Sequence, residues 1–223
     1  MKLEVPDSVV GLPAFADFYR YPADRTQPAP LLIWVGGAIS LETYERRRAT
    51  EPVEILAECD AARSRLGDPP GDLLILSSPP TLQGLESRLD LFHHLLAFEL
   101  FPLLLPPHPT SLGLVGNSFG AYLATGFACR RPDARALATV AGVGLWDAIR
   151  EARGDLSPDL ALRCYANEED FAGVYAYELE TELATRGRIL DLVERAGDHP
   201  FADYAANGSI REAFEFVLKR LLD

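Results

Sequence analysis

The feature that most restricts the possible folds is a regular alternation of short apolar runs with segments of helical spacing. Apolar runs of five or six residues have the length of strands that are buried on both faces. We expect such strands at residues 31–35, 72–76, 111–115, 136–141, 160–165 and 189–194, with an early edge strand at residues 15–21. This alternation predicts an α/β fold, in which a mostly parallel sheet carries helices on both faces.

Helical spacing fills the intervals between the apolar runs. In residues 85–101, for example, apolar side chains recur on one face of a helix. We expect helices over residues 42–66, 85–101, 118–130, 146–152, 171–186 and 210–222. Pro52 is a candidate point of interruption in the first of these helices, because proline disturbs a helix interior.

The size and charge of the chain limit the classes of function. Its 223 residues fit a single domain spanning residues 1–223, and a hydrophobic content of 48% excludes a disordered chain. The formal net charge of −12 opposes binding to nucleic acid and to anionic membranes. We therefore expect neither of these as a partner, and the oligomeric state stays open.

Targeting signals and cofactor motifs are not evident in the sequence. The first residues do not resemble a secretory signal, and no apolar stretch reaches the roughly 18 residues that span a bilayer. The three cysteines, Cys59, Cys129 and Cys164, indicate neither a disulfide framework nor a zinc site, so we expect a cytoplasmic protein. No dinucleotide-binding, phosphate-loop or metalloprotease motif occurs, and no cofactor or metal is expected.

One pentapeptide, Gly116-Asn117-Ser118-Phe119-Gly120, matches the pattern G-x-S-x-G. A predicted strand enters it and a predicted helix leaves it, so Ser118 lies on a strand-turn-helix junction. Such a turn strains the serine backbone and holds its Oγ above the edge of the sheet. The flanking glycines let neighbouring backbone pass closely, and the helix directs its positive end at the reacting atoms. The motif predicts Ser118 as a nucleophile, with the Phe119 N–H directed at a developing oxyanion.

The order of elements and the motif at Ser118 resemble the α/β-hydrolase superfamily over nearly the whole chain. In that family an acid follows a later strand, and a histidine follows the last strand. His199 lies between the last predicted strand and the last predicted helix, where the resemblance places the base. The other histidines all precede the motif: His93, His94 and His108. Pro200 directly follows His199, which is a departure from the family pattern.

The resemblance places the acid after the strand predicted at residues 160–165. The turn that follows contains three carboxylates, of which Asp170 is best placed, while Glu169 and Glu168 stay open as alternatives. A carboxylate here accepts a hydrogen bond from the imidazole and fixes its tautomer. Asp198 adjoins His199 in sequence, but neighbouring side chains on an extended loop point apart.

A second oxyanion donor is expected in the loop after the strand at residues 31–35. Gly36-Gly37-Ala38 resembles the glycine-rich loop of lipases and esterases, although Val35 stands where that loop has a histidine. Small residues let backbone N–H groups approach a substrate carbonyl, so Gly37 or Ala38 is the expected donor. The same glycines would also suit a tight turn without a chemical role.

The resemblance implies acyl transfer to water through a Ser118–His199–Asp170 triad. Many family members carry a lid after the strand that ends here near Gly144, but residues 145–159 have room for one short helix only. Compact members with an open site are esterases, thioesterases or peptidases, and a carboxylic ester or thioester of a small molecule is the expected substrate. Cleavage of an amide or peptide bond is one alternative, and a non-catalytic binding module with the same fold is another.

Overall fold

The fold is described by a computed structural model for residues 2–4, 16–21, 29–37, 41–78, 90, 92–94, 111–152 and 156–223. The strands are β1 Lys2–Glu4, β2 Ala16–Tyr21, β3 Leu31–Gly37, β4 Gly71–Ser78, β5 Leu112–Asn117, β6 Ala134–Val140, β7 Ala161–Asn167 and β8 Asp191–Arg195. The helices are α1 Leu41–Arg65, α2 Phe119–Cys129, α3 Leu145–Glu151, α4 Gly173–Thr185, α5 Phe201–Ala206 and α6 Ser209–Leu222. Most of the helix predicted at residues 85–101 lies outside the described residues, although residues 90 and 92–94 are helical.

The strands of the described residues form one eight-stranded sheet in the order β1-β2-β4-β3-β5-β6-β7-β8. Every neighbouring pair from β4 to β8 is parallel, whereas β1 pairs antiparallel with β2 and β2 pairs antiparallel with β4. The prediction of a mostly parallel α/β sheet is therefore confirmed. The prediction that residues 15–21 form the edge is wrong, because β1 lies outside β2. Three residues are too few to give β1 a periodic signal.

Two hydrophobic layers cover the two faces of the sheet. Helices α2, α3 and α4 pack on one face, and α1 and α6 pack on the other. In β3, Leu31, Ile33 and Val35 belong to the first layer, while Leu32 and Trp34 belong to the second. A strand buried on both faces has no polar side, which is why it forms a continuous apolar run in the sequence.

Helix α1 runs from Leu41 to Arg65 through Pro52, so the helix is not interrupted at this candidate point. A proline inside a helix costs about 3 kcal/mol, because it removes an N–H donor and clashes with the preceding turn. Packing against the sheet offsets this cost. Ile55 and Cys59 are buried in the second layer, and the buried Glu51 accepts a 3.0 Å hydrogen bond from Trp34 Nε1.

Several strands extend beyond the apolar runs that predict them. Strand β3 includes Gly36 and Gly37, β5 continues to Asn117, and β7 continues to Asn167. Parallel pairing persists through these residues, so the hydrophobic pattern stops before the hydrogen-bonded ladder does. The carboxyl ends of the parallel strands meet at one edge, which is where open α/β sheets bind their ligands.

The connections at this edge are short in the described part of the chain. Helix α3 lies between β6 and β7, in agreement with the helix predicted there. Helix α5 is not predicted, because its six residues span less than two turns and give no clear periodicity. No helix among the described residues is long and apolar enough to cross a membrane.

Candidate active site

Ser118 lies at the sharp turn between β5 and α2, at the carboxyl edge of the sheet. Its backbone adopts φ 52° and ψ −124°, and a conformation of this kind costs a non-glycine residue about 1–3 kcal/mol. Two backbone hydrogen bonds of 3.0 Å hold the turn, from Ser118 N to Val140 O and from Ala121 N to Ser118 O. The buried side chain stands at the start of α2, where the helix dipole favours negative charge.

Close approach of backbone segments explains the glycines on either side of Ser118. A Cβ on Gly116 would lie 2.5 Å from Ala121 Cα, and a Cβ on Gly120 would lie 2.0 Å from Val35 O. Both distances are far shorter than real Cβ contacts. The turn therefore requires glycine at both positions, and β3 lies directly against the first turn of α2.

His199 lies in the loop between β8 and α5, and its Nε2 is 3.2 Å from Ser118 Oγ. Two hydrogen bonds fix the loop: His199 N donates to Asp198 Oδ1 at 2.7 Å, and Asn167 Nδ2 donates to Asp198 O at 2.9 Å. Pro200 precedes α5 with φ −53°, a value that its ring imposes. The proline that departs from the family pattern thus ends the histidine loop and begins the next helix.

Asp170 lies in the turn after β7, and both oxygens of its buried carboxylate accept hydrogen bonds. Oδ1 accepts from His199 Nδ1 at 2.8 Å and from Ala172 N at 2.7 Å, and Oδ2 accepts from Tyr204 OH at 2.6 Å. Burial by itself raises the pKa of Asp170, but the hydrogen bonds from His199, Tyr204 and Ala172 hold it below its ordinary value. An ionised Asp170 requires the proton on His199 Nδ1, which leaves Nε2 as the acceptor that faces Ser118.

Tyr204, on helix α5, is a site residue that the sequence analysis does not identify. It is fully buried, and its OH accepts a 2.8 Å hydrogen bond from Asn167 N while donating to Asp170. Burial and the adjacent carboxylate raise the pKa of Tyr204, so the phenol keeps the proton that it donates. A buried tyrosine needs a hydrogen-bond partner for its OH. This requirement would identify Tyr204 as a candidate partner of the acid if the position of α5 were known beforehand.

The other candidate acids do not face the imidazole. Glu168 and Glu169 are exposed in the turn after β7, where their N–H groups donate to Arg195 O and Gly197 O. The carboxylate of Asp198 accepts a hydrogen bond from the backbone of the adjacent histidine and not from its ring. Of the acids considered from the sequence, the structure brings Asp170 to His199.

The remaining histidines lie elsewhere. The His93 ring packs against Phe127 with 5.6 Å between centroids, and burial and nearby arginines lower the pKa of His93. His94 is exposed, and His108 lies outside the described residues. Within the described ranges, no group of three His, Cys, Asp or Glu side chains is arranged to hold a metal ion.

The glycine-rich end of β3 lies against the turn at Ser118. A Cβ on Gly37 would be 2.7 Å from Phe119 N and 2.3 Å from Gly120 N, so the two backbone segments are in direct contact. Gly37 and Phe119, two of the three expected oxyanion donors, are therefore adjacent. The third, Ala38, lies outside the described residues. This contact brings amide-bearing backbone from two elements next to the serine, which is the arrangement that an oxyanion hole needs.

No family model matches the sequence, and a search of curated proteins finds no match. Similar proteins are found among solved structures. A ferulic acid esterase superposes with TM-score 0.66 and 11% identity, over 92% of this chain and 91% of that protein. FphF of Staphylococcus aureus, a fluorophosphonate-binding serine hydrolase, superposes with TM-score 0.64 and 13% identity, over 98% of this chain and 97% of that protein. The S-formylglutathione hydrolase FrmB of the same bacterium superposes with TM-score 0.59 and 13% identity, over 91% of this chain and 89% of that protein. The chain therefore has the α/β-hydrolase fold.

Proposed function

We propose that this protein is a serine hydrolase that cleaves a carboxylic ester or thioester of a small molecule through an acyl-enzyme on Ser118. The observation that carries the proposal is the continuous line of hydrogen bonds from Ser118 Oγ through His199 to Asp170. The strained backbone of Ser118 supports it as well, since glycine would adopt the same turn with less strain. The chain has a serine there at an energetic cost, which is expected where its hydroxyl is needed.

In the first half of the proposed reaction, Ser118 Oγ attacks the substrate carbonyl carbon while His199 Nε2 takes the hydroxyl proton. The carbonyl oxygen becomes an oxyanion, which accepts hydrogen bonds from Phe119 N–H and from the N–H of Gly37 or Ala38. Loss of one such donor raises the barrier by about 3 kcal/mol. The intermediate then collapses, and the alcohol or thiol leaves with the proton from Nε2.

In the second half, a water molecule attacks the acyl-enzyme and His199 Nε2 takes a proton from it. Collapse releases the carboxylic acid and returns the proton to Ser118 Oγ. Asp170 stabilises the imidazolium in both halves and keeps Nδ1 protonated throughout. Tyr204 holds the second oxygen of Asp170, so the carboxylate keeps its orientation toward the ring.

The structural relatives favour an ester or thioester over other acyl substrates. One is named a ferulic acid esterase, and another is named for a thioester, S-formylglutathione. Matched esters, thioesters and amides of butyric acid test this choice through their initial rates. We expect the ester and thioester to be hydrolysed faster, since an amine leaving group depends more on protonation. An amide rate equal to the ester rate would assign the protein to the amidases or peptidases.

A fluorophosphonate probe tests the nucleophile, because it forms a covalent adduct with an activated serine. We expect labelling of the wild type and none of Ser118→Ala, with circular dichroism showing that the variant is folded. Ser64→Ala is the matched control, since Ser64 is an exposed serine on α1, and it should label like the wild type. Absence of labelling in the folded wild type would favour a binding module and overturn the proposal.

A further inference from the structure

Phe171, directly after the proposed acid, exposes an aromatic ring beside the proposed base. Its ring centroid is 4.4 Å from that of His199, with 34° between the two ring planes. In spite of this contact, 58% of Phe171 is exposed, and Val174 in the first turn of α4 is 62% exposed. Ala172 and Gly173, which lie between them, are buried. Phe171 and Val174 therefore form an apolar surface at the start of α4 that is exposed to solvent.

The position of Phe171 distinguishes it from isolated apolar side chains, which are common on protein surfaces. Its ring packs on the imidazole whose Nε2 faces Ser118 Oγ. Protonation of the leaving group requires its oxygen to come within about 3 Å of this nitrogen. The alcohol portion of an ester therefore leaves on the histidine side of the site, where Phe171 offers an apolar surface.

The charge around this surface adds a second restriction. Glu168 and Glu169 precede Phe171 in the same turn and are exposed. Their negative charges disfavour an anionic alcohol portion, and the exposed ring favours a neutral one with apolar area to bury.

We propose that Phe171 forms the leaving-group side of the binding site, and that the substrates are esters with a neutral, aromatic or bulky apolar alcohol portion. This inference rests on the proposed serine hydrolase function. Contact between two aromatic rings corresponds to a preference on the order of tenfold in kcat/KM over a small alkyl alcohol.

Three esters test the inference, and their alcohol leaving groups are similarly weak acids. Benzyl butyrate carries a ring on the alcohol side, ethyl phenylacetate carries one on the acyl side, and ethyl butyrate has none. For the wild type we expect kcat/KM for benzyl butyrate to exceed that for ethyl butyrate by roughly tenfold. In Phe171→Ala this ratio should fall to near one, because the loss in kcat/KM is larger for benzyl butyrate than for ethyl butyrate.

Two further variants serve as controls. Phe171→Tyr retains the ring and should keep the preference for benzyl butyrate. Ile189→Ala removes another exposed apolar side chain, which is 95% exposed and precedes β8 at the opposite edge of the sheet. It should leave the ratio unchanged.

An unchanged ratio in Phe171→Ala would overturn the inference. An equal fall for all three esters would show that Phe171 only supports His199, and a selective loss of ethyl phenylacetate would place it on the acyl side. Either result also overturns the inference. All of these outcomes are compatible with fluorophosphonate labelling of the wild type at Ser118, whereas failure of the wild type to label would refute the proposed function itself.

Discussion

At the scale of single residues, the buried carboxylate of Asp170 organises the candidate site. It accepts hydrogen bonds from its own turn at Ala172, from the loop at His199 and from α5 at Tyr204. Each bond favours the ionised form, and together they outweigh burial, which acts in the opposite direction on the pKa. Removal of one donor leaves a buried charge with fewer partners, which costs more than the net gain of an ordinary hydrogen bond.

Tyr204→Phe should therefore lower kcat and move acid unfolding of the protein to higher pH. The lost hydrogen bond is worth about 1–3 kcal/mol, or roughly ten- to hundredfold in rate if it acts fully in the transition state. A carboxyl whose pKa is depressed by folding stabilises the fold above its unfolded pKa, and this contribution is lost as the pH falls through the folded pKa. With less depression of the Asp170 pKa, Tyr204→Phe should lose this contribution at higher pH, as acid-unfolding experiments measure.

Tyr177→Phe is the matched control for this prediction. It removes an exposed tyrosine hydroxyl that also donates to a carboxylate, that of Glu194. We expect its acid-unfolding midpoint to coincide with that of the wild type. If the acid-unfolding midpoint of Tyr204→Phe also coincided with it, the role of Tyr204 would be packing alone.

The residues of the proposed triad are accessible to sequence analysis for a physical reason. Ser118, Asp170 and His199 each follow a predicted strand, and the carboxyl ends of parallel strands meet at one edge. Tyr204 is not accessible in this way, because its role depends on its burial and on a hydrogen bond to Asn167 N. Neither can be inferred from the order of residues along the chain.

At the scale of elements, the contact between β3 and α2 determines the geometry around the serine. The helix begins so close to the strand that Gly120 and Val35 meet backbone to backbone. The same contact brings Gly37 next to Phe119. The distance between the two proposed sources of oxyanion donors is thus set by glycines and not by side-chain packing.

Gly120→Ala should destabilise the protein strongly. The added Cβ would lie 2.0 Å from Val35 O, and overpacking of this kind costs about 3 kcal/mol or more. Gly173→Ala is the matched control, because the nearest atom to its Cβ is 3.9 Å away. Alanine at this first position of α4 should be neutral or stabilising by up to about 1 kcal/mol. Urea denaturation compares the two variants, and equal effects would show that β3 and α2 can separate without loss.

The presence of strands with a long apolar run is predicted better than the residues at which these strands end. The buried strands appear as apolar runs because side chains on both faces are buried. Strand pairing is a backbone property, so β3, β5 and β7 continue into Gly37, Asn117 and Asn167 after the apolar signal has stopped. The helix through Pro52 shows the opposite case, in which packing against the sheet overrides a local signal.

At the scale of the whole molecule, two core layers share the strands of one sheet. Cys59 is buried in the layer of α1 and α6, and Cys164 is buried in the layer of α2, α3 and α4. Burial raises the pKa of both thiols to about 12. Neither forms a reactive thiolate at neutral pH while its layer is intact. Each cysteine is therefore a reporter for the unfolding of one layer.

A chain that folds as one domain should expose both cysteines together. We expect Cys59 and Cys164 to become reactive toward iodoacetamide at the same urea concentration, because their layers pack on the same strands. Pulsed labelling followed by peptide mass spectrometry measures both midpoints in one sample. Cys129, which is only half-buried, provides an internal comparison. Two separate midpoints would show that residues 1–223 contain more than one folding unit.

The backbone of Ser118 has a consequence for how sequences of this kind evolve. Its φ of 52° makes serine a poor choice for the fold alone, since glycine would relieve the strain. A library screened only for heat resistance should accumulate glycine here, as gains in stability at such positions are readily found. Descendants that keep the scaffold without the chemistry are free to make the same exchange. Serine or glycine at this position therefore serves as a marker that separates descendants under selection for catalysis from those under selection for folding.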